Sequence, residues 1–191
     1  MDATYGPGGC FSDLQIGEQA TMGDSYHTLL EDPYESEVIL IWGENDAVAK
    51  PTEWSESYWK GIREHGAKFI HVEPRMSEMG EKADLFLPVR PGTDAYLALA
   101  MCNVIISEGL QDQEFLDTYC LGFDADHMPA DAKTDENFKD YILGAYDGQP
   151  KTPEWASAIC GTPAETIRSF AREIATTKPM AWKSSGAPAR T

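Results

Sequence analysis

The sequence predicts an α/β protein built on an open, mostly parallel sheet flanked by helices, a doubly wound, dinucleotide-binding-like arrangement. Three observations carry that expectation. Val38-Ile39-Leu40-Ile41-Trp42 and Phe69-Ile70-His71-Val72 are apolar runs rich in β-branched residues and without alternation, as in strands buried on both faces. A helix-patterned segment separates them, and a β-α-β unit of this length is right-handed. Each run breaks into a polar, turn-rich loop: Gly43-Glu44-Asn45, then Glu73-Pro74-Arg75, and, after a third short run, Arg90-Pro91-Gly92-Thr93-Asp94. Open α/β sheets build ligand crevices from loops at the carboxyl ends of their strands, so these three are expected to hold one nucleotide-like group.

The elements follow in order. Residues 1–36 form an irregular entry segment, rich in Gly, Asp, Glu and Ser, with turn chemistry at Tyr5–Gly9 and a short helix near Asp13–Ala20. Residues 37–191 are expected to form a single domain of a larger chain. Glu37–Trp42 is the first strand. Thr52 caps a helix reaching about His65, with Trp54, Tyr58, Trp59 and Ile62 at core spacing and Gly66 as its terminating glycine. Lys68–Val72 is the second strand, Met76–Ala83 a helical turn, and Asp84–Pro88 a third strand stopped by its proline. Thr93 or Asp94 caps a long helix to about Glu108, with Leu97, Met101, Val104 and Ile105 as its apolar stripe and Gly109 closing it. Gln113–Tyr119 is a further helix carrying Phe115, Leu116 and Tyr119.

Residues 122–151 read as an acidic surface excursion with one short helix near Asn137–Leu143. Thr152-Pro153-Glu154 opens a helix with a cap and a proline at its first position. Thr162 and Glu165 have capping-box spacing for the next helix, whose inward face is Ile167, Phe170, Ala171 and Ile174. Met180–Lys183 is a last strand. The Ser/Gly/Pro/Arg loop after it would ordinarily lead into a helix, so the expectation is either a loose tail or a piece of a longer protein.

Bulk properties exclude several function classes. In 191 residues, 15 Lys and Arg face 32 Asp and Glu, a net charge of −17 that repels phosphate backbones and argues against nucleic-acid binding. An anionic ligand is not excluded, because backbone N–H groups at a helix start bind phosphate without lysine. No apolar run approaches the roughly 18 residues of a membrane span, so direct membrane insertion is not expected. The N-terminus lacks the regions of a signal peptide. Cys10, Cys102, Cys120 and Cys160 form no C-x-x-C pair, so neither zinc nor an iron–sulfur cluster is expected in this segment. His27, His65, His71 and His127 lack ligand spacing and read as structural or surface residues. Asp124-x-Asp126 lacks the glycine and closing glutamate of an EF-hand. No nucleophile with an adjacent acid–base pair is identifiable, so no catalytic residue is assigned.

The loop chemistry is specific in type but short in pattern. Gly43 allows close backbone approach to a ligand and Asn45 can donate or accept, although this is not the G-x-G-x-x-G fingerprint. An acid at the position of Glu73 commonly accepts from a ribose. Asp94 has two readings, a helix cap or a carboxylate that accepts two N–H groups from a guanine edge. Arg75 and Arg90 are either phosphate partners or surface ion-pair residues.

These residues resemble the dimethyl sulfoxide reductase family of molybdopterin oxidoreductases. That family's strand ends W/F-G-x-N-P, and Trp42-Gly43-Glu44-Asn45 is followed here by Asp46. Its G-A-K-x-I-x-I-D-P-R appears as Gly66-Ala67-Lys68-Phe69-Ile70-His71-Val72-Glu73-Pro74-Arg75, with Glu for Asp. Its long motif K-A-D-x-x-L-P-I-R-P-G-T-D is followed closely from Lys82 through Asp94, and on to Leu99-Ala100-Met101. Phe115–Cys120, Tyr141–Gly144, Lys151–Ser157 and Ala171–Ile174 resemble its anaerobic dimethyl sulfoxide reductase catalytic-subunit branch.

The resemblance implies one central α/β domain of a four-domain catalytic chain around molybdenum bis(molybdopterin guanine dinucleotide). A 4Fe-4S cluster and the metal's protein ligand would lie upstream, outside this segment. The implied activity of the whole protein is two-electron reduction of a small S-oxide or N-oxide acceptor in anaerobic respiration. The implied partners are an iron–sulfur electron-transfer subunit and a membrane-anchor subunit. The implied location is the extracytoplasmic face of a bacterial membrane, reached by twin-arginine export. Carried over by position, Gly43, Glu44 and Asn45 approach the dinucleotide phosphates, and Glu73 takes the ribose side with Arg75 beside it. Gly92, Thr93 and Asp94 meet the guanine, while Gly186 and Arg190 approach from the loop after the last strand. The alternatives are a stand-alone nucleotide-binding or interaction module without metal chemistry, or a relative acting on another substrate, such as a dehydroxylase or a thiosulfate or selenate reductase.

Overall fold

The structure is a computed structural model that describes residues 35–45 and 64–184. The entry segment up to residue 34, the helix expected from Thr52 to His65 (apart from its last two residues) and the segment from residue 185 on lie outside the described residues. Four strands are present: β1 (Val38–Trp42), β2 (Lys68–Glu73), β3 (Leu85–Pro88) and β4 (Met180–Ser184). They form one sheet in the order β3-β2-β1-β4, and every pairing is parallel. The α/β class and the parallel sheet read from the sequence are both present.

β1 is the strand the sequence marks most strongly, and it is paired on both edges, with β2 and with β4. All five of its residues are buried. Burial of apolar side chains of this size contributes about 1.5–3 kcal/mol each relative to exposure. The pleat divides them: Ile39 and Ile41 share a cluster with Ala67, Phe69 and Met79, against which Ala83 and Ala181 pack. On the other face Trp42 stacks on Trp182 of β4, ring centroids 5.7 Å apart. Gly66 (φ +73°) supplies the left-handed turn into β2, as expected of a terminating glycine. The helical turn expected at Met76–Ala83 contracts to a 3-10 turn at Gly80–Lys82. There a Cβ on Gly80 would lie 3.0 Å from both the Met76 sulfur and the Phe86 ring.

The described chain divides into two compact units, the sheet-bearing one up to Gly92 and from Thr177 on, and a helical one from Thr93 to Thr176. The helical unit contains α1 (Asp94–Ser107), α2 (Gln113–Tyr119), α3 (Phe138–Leu143), α4 (Pro153–Cys160) and α5 (Ala164–Thr176). α1 packs against α3, α4 and α5. Its buried stripe is Leu97, Ala100, Met101, Asn103 and Val104, with Ile105 half-buried. α4 starts as its sequence says: Pro153 is in the first turn and the Thr152 hydroxyl accepts from the Trp155 amide at 3.2 Å. α5 starts at Ala164, one residue later than a Thr162 cap would place it, and the Glu165 carboxylate engages Arg168 at 2.6 Å.

The acidic excursion of 122–151 is more integrated than its composition implied. Lys151 is 2% exposed, and a buried ammonium costs several kcal/mol unless its donors are met. Its Nζ donates to Asp147 Oδ2 at 2.5 Å and to Gln149 O at 2.6 Å, and lies 4.3 Å from the Tyr141 ring centroid. The bond to Lys151 holds the Asp147 carboxyl below its usual range. The carbonyl of Ile142 accepts from both buried Asn103 (3.2 Å) and the Lys151 amide (3.0 Å), using both lone pairs. α2 is the opposite case: none of its residues is buried, and Phe115 and Tyr119 pair in the open with centroids 5.2 Å apart.

Two glycines separate conformation from space. Gly109 (φ +67°) has nothing within 4 Å of a built Cβ, whereas at Gly144 (φ +82°) a Cβ would meet the Pro150 nitrogen at 2.4 Å. Gly109→Ala is expected to cost about 1–2 kcal/mol, the left-handed penalty alone. Gly144→Ala should cost clearly more, read as a larger shift of the urea unfolding midpoint; equal shifts would show that the Pro150 backbone yields freely.

Candidate cofactor-binding site

The strand order decides where a ligand can sit. The chain steps outward from β1 to β2 to β3, then returns to pair β4 on the other side of β1. The order therefore reverses between β1 and β4, and open parallel sheets bind ligands outside the strand carboxyl ends at that reversal. The loop leaving β1 is Gly43-Glu44-Asn45, the first of the three loops singled out in the sequence.

That loop is tied to β2 and the segment after it. The Gly43 amide donates to Val72 O at 2.8 Å, extending the ladder one residue past the strand. The ring of His71 meets Glu44 O through Nε2 at 3.0 Å. Asn45 donates from Nδ2 to Glu78 Oε2 at 3.0 Å, which holds the Glu78 carboxyl below its ordinary range. The amide orientation is set by that carboxylate, which can only accept, so Asn45 Oδ1 is the remaining acceptor; it is buried and has no hydrogen-bond partner among the described residues. An orphaned acceptor of this kind is a place for a ligand hydroxyl or N–H, and a nucleotide carries both. Gly43 contributes its conformation (φ +66°) and not its amide, which is already engaged.

The other sequence-selected residues occupy the following places. Glu44 and Glu73 are buried, Glu73 as the last residue of β2 opposite Pro88 of β3. Arg75 and Arg90 are exposed. Gly92 (φ +73°) has open space where a Cβ would be. In the helical unit, Thr93 occupies the N-cap position of α1 without a side-chain capping bond. Asp94 is the first helical residue and is buried. A carboxylate there is favoured by the positive end of the helix dipole. Asp46, Gly186 and Arg190 lie outside the described residues. The loop after β1, Glu73 and Arg75 thus belong to the sheet-bearing unit, and Thr93 and Asp94 to the helical one.

Two histidines have roles that sequence spacing did not show. His71 is fully buried in β2, and burial pushes its imidazole below the ordinary value. His127 lies beside two carboxylates: its Nδ1 is 2.7 Å from Asp124 Oδ1 and 3.9 Å from Asp117 Oδ1. The three offer ligand atoms within 4.8 Å of one another, the one such group among the described residues. Asp124 also caps the 3-10 turn Ala125–His127, accepting from the His127 amide, so a turn-stabilising role accounts for the geometry. The spacing signal was absent because Asp117 reaches the group from α2.

The arrangement is that of an open α/β protein, a parallel sheet whose order reverses at the strand that carries the glycine loop. The comparisons narrow the class. Residues 3–187 match the molybdopterin oxidoreductase family. Dimethyl sulfoxide reductase DmsA of Haemophilus influenzae is 40% identical over 183 residues, covering 94% of this chain and 21% of that protein. A trimethylamine-N-oxide reductase of the same organism is 31% identical, covering 87% of this chain and 19% of that protein. Among solved structures, acetylene hydratase from Pelobacter acetylenicus superposes with a TM-score of 0.70 at 27% identity, covering 93% of this chain and 22% of that one. The chain belongs to the molybdopterin oxidoreductase family. It spans about a fifth of the length of the curated relatives it matches.

The Asp124–His127 bond makes a pH prediction. The bond to Asp124 is the main cause of a raised His127 value, and the same bond is the main cause of a lowered Asp124 value. The histidine contribution is complete below its unfolded value and is lost as pH rises through the raised folded value. The carboxylate contribution is present above its unfolded value and is lost as pH falls through the lowered folded value. The difference in thermal midpoint between wild type and Asp124→Asn should therefore be largest near about pH 5.5, between the ordinary carboxylate and imidazole values, and shrink as pH rises through the raised histidine value. A pH-independent difference would reduce the pair to a neutral turn contact.

Proposed function

We propose that this chain is the cofactor-cradling α/β part of a respiratory molybdoenzyme catalytic subunit, and that it holds one guanine dinucleotide arm of molybdenum bis(molybdopterin guanine dinucleotide). The observation that carries the reading is the loop Gly43–Asn45, with its orphaned buried acceptor, at the order reversal of a molybdopterin oxidoreductase sheet. When bound, the cofactor supplies the two-electron redox centre at which oxygen is transferred from an S-oxide or N-oxide acceptor. The chain's own residues bind and orient. Asn45 Oδ1 accepts from a hydroxyl or N–H of the nucleotide. Glu73 takes the ribose side with Arg75 near it. Asp94 accepts from the guanine edge at the start of α1, with Gly92 and Thr93 allowing backbone approach. Gly186 and Arg190 act from the segment after β4.

The activity belongs to the whole protein in this reading, with a 4Fe-4S cluster and the metal's ligand elsewhere in it. An iron–sulfur subunit and a membrane-anchor subunit would deliver electrons at the extracytoplasmic face of the membrane. No helix among the described residues is long and apolar enough to cross a membrane. A second reading has one specific support. The acetylene hydratase that shares this fold is named for a hydration, so the same scaffold accommodates chemistry other than reduction of an oxide.

The test is compositional and kinetic. Full-length protein carrying this chain should contain molybdenum and release guanine nucleotide on acid hydrolysis, and should oxidise a reduced viologen dye with dimethyl sulfoxide or trimethylamine N-oxide. Asp94→Ala should lower the guanine nucleotide released per chain by at least about tenfold, as expected when a charged, bidentate partner is lost. Protein without guanine nucleotide would contradict the reading. Guanine nucleotide present without activity on either oxide would move it to the second.

A further inference from the structure

His71 is an anomaly in an otherwise apolar strand. It is 0% exposed at the middle of β2, opposite Ile41 of β1 and Phe86 of β3. Its ring lies between those of Phe69 (centroids 5.9 Å) and Phe86 (6.1 Å). A polar ring in such a place costs stability unless its nitrogens are hydrogen-bonded. Among the described residues, its ring makes one hydrogen-bond contact, Nε2 to Glu44 O at 3.0 Å, while Nδ1 is buried with no partner.

The partner decides the tautomer. A carbonyl oxygen can only accept, so Nε2 must carry the proton and the bond is Nε2–H donating to Glu44 O. Nδ1, among aromatic faces, is then left with a bare lone pair. Protonating it would create an unpaired buried cation, so the ring stays neutral.

We propose that His71 is the positioning residue of the β1 loop. Its Nε2–H captures the Glu44 carbonyl and holds that dipole's negative end against β2, away from the side on which the loop meets an anionic nucleotide. The bond works with two others, Gly43 N–H to Val72 O and Asn45 Nδ2 to Glu78, so the loop is fixed at each of its three residues. The fixed loop in turn aims the Asn45 Oδ1 acceptor. The proposal rests on the cofactor reading above only for what the loop then binds.

The test uses the full-length protein, with His71→Leu removing the donor at similar volume and His71→Gln restoring an N–H. In H71L, amide exchange of a peptide covering residues 43–45 should speed up by about tenfold, the scale of losing one buried hydrogen bond. Guanine nucleotide released per chain should fall with it, and H71Q should recover most of both. Unchanged loop exchange in H71L, or H71Q behaving as H71L does, would overturn the proposal. Loop exchange that responds as expected while neither H71L nor Asp94→Ala changes guanine nucleotide content would sink the cofactor reading and leave His71 as the loop anchor. If H71L does not accumulate, nitrogen-15 spectra of the wild-type ring decide: neutral Nε2–H supports the assignment, Nδ1–H overturns it.

Discussion

Everything described in the sheet-bearing unit depends on β1 being paired on both edges and buried on both faces. Parallel neighbours cannot be joined by tight turns, so each strand must be followed by a crossover that begins at the same edge of the sheet. With β2 and β3 on one side of β1 and β4 on the other, that edge acquires its reversal next to the Gly43–Asn45 loop. The apolar character of Val38–Trp42 is therefore also what places the order reversal beside this loop. A polar residue inside this strand would need a partner within the sheet, and the neighbouring strand shows what that takes: His71 is tolerated in β2 because the Glu44 carbonyl meets it.

The parts that were legible in the sequence are those whose signals are local. Runs of β-branched residues located β1 and β2 within a residue of their ends, and Pro88 marked the end of β3. Thr152-Pro153 located the start of α4 because cap and proline act within one turn. The parts that were not legible depend on contacts between distant residues. Lys151 reads as a surface lysine, and only the approach of Asp147, Gln149 and Tyr141 makes it a buried one. His71 reads as one more histidine without ligand spacing, and its role appears only when the register sets β2 beside the end of β1. Phe115 and Tyr119 sit at helical spacing yet are exposed, since periodicity reports a shared face but not what covers it.

The candidate site was legible as a place in the fold and less so in its atoms. Glycine and asparagine after a buried strand marked a candidate loop, and that loop leaves the strand at which the sheet order reverses, where open parallel sheets generally bind ligands. The structure adds which atoms remain to be used. The Gly43 amide is consumed by Val72, while the Asn45 side chain gives its donor to Glu78 and keeps its acceptor. That division favours hydroxyl and N–H groups of a nucleotide at Asn45 over phosphate oxygens. Asp94 was undecided in sequence between helix cap and base reader. Its place as the first residue of α1, with Thr93 at the cap position, leaves its carboxylate outside the N-cap role.

The most direct measurement is an experimental structure of the full-length protein with its native cofactor bound. The account predicts density for a guanine dinucleotide arm at the carboxyl end of β1, with a nucleotide hydroxyl or N–H within about 3.2 Å of Asn45 Oδ1 and the Glu44 carbonyl still held by His71. A cofactor that leaves the Gly43–Asn45 loop in contact with solvent alone would contradict it.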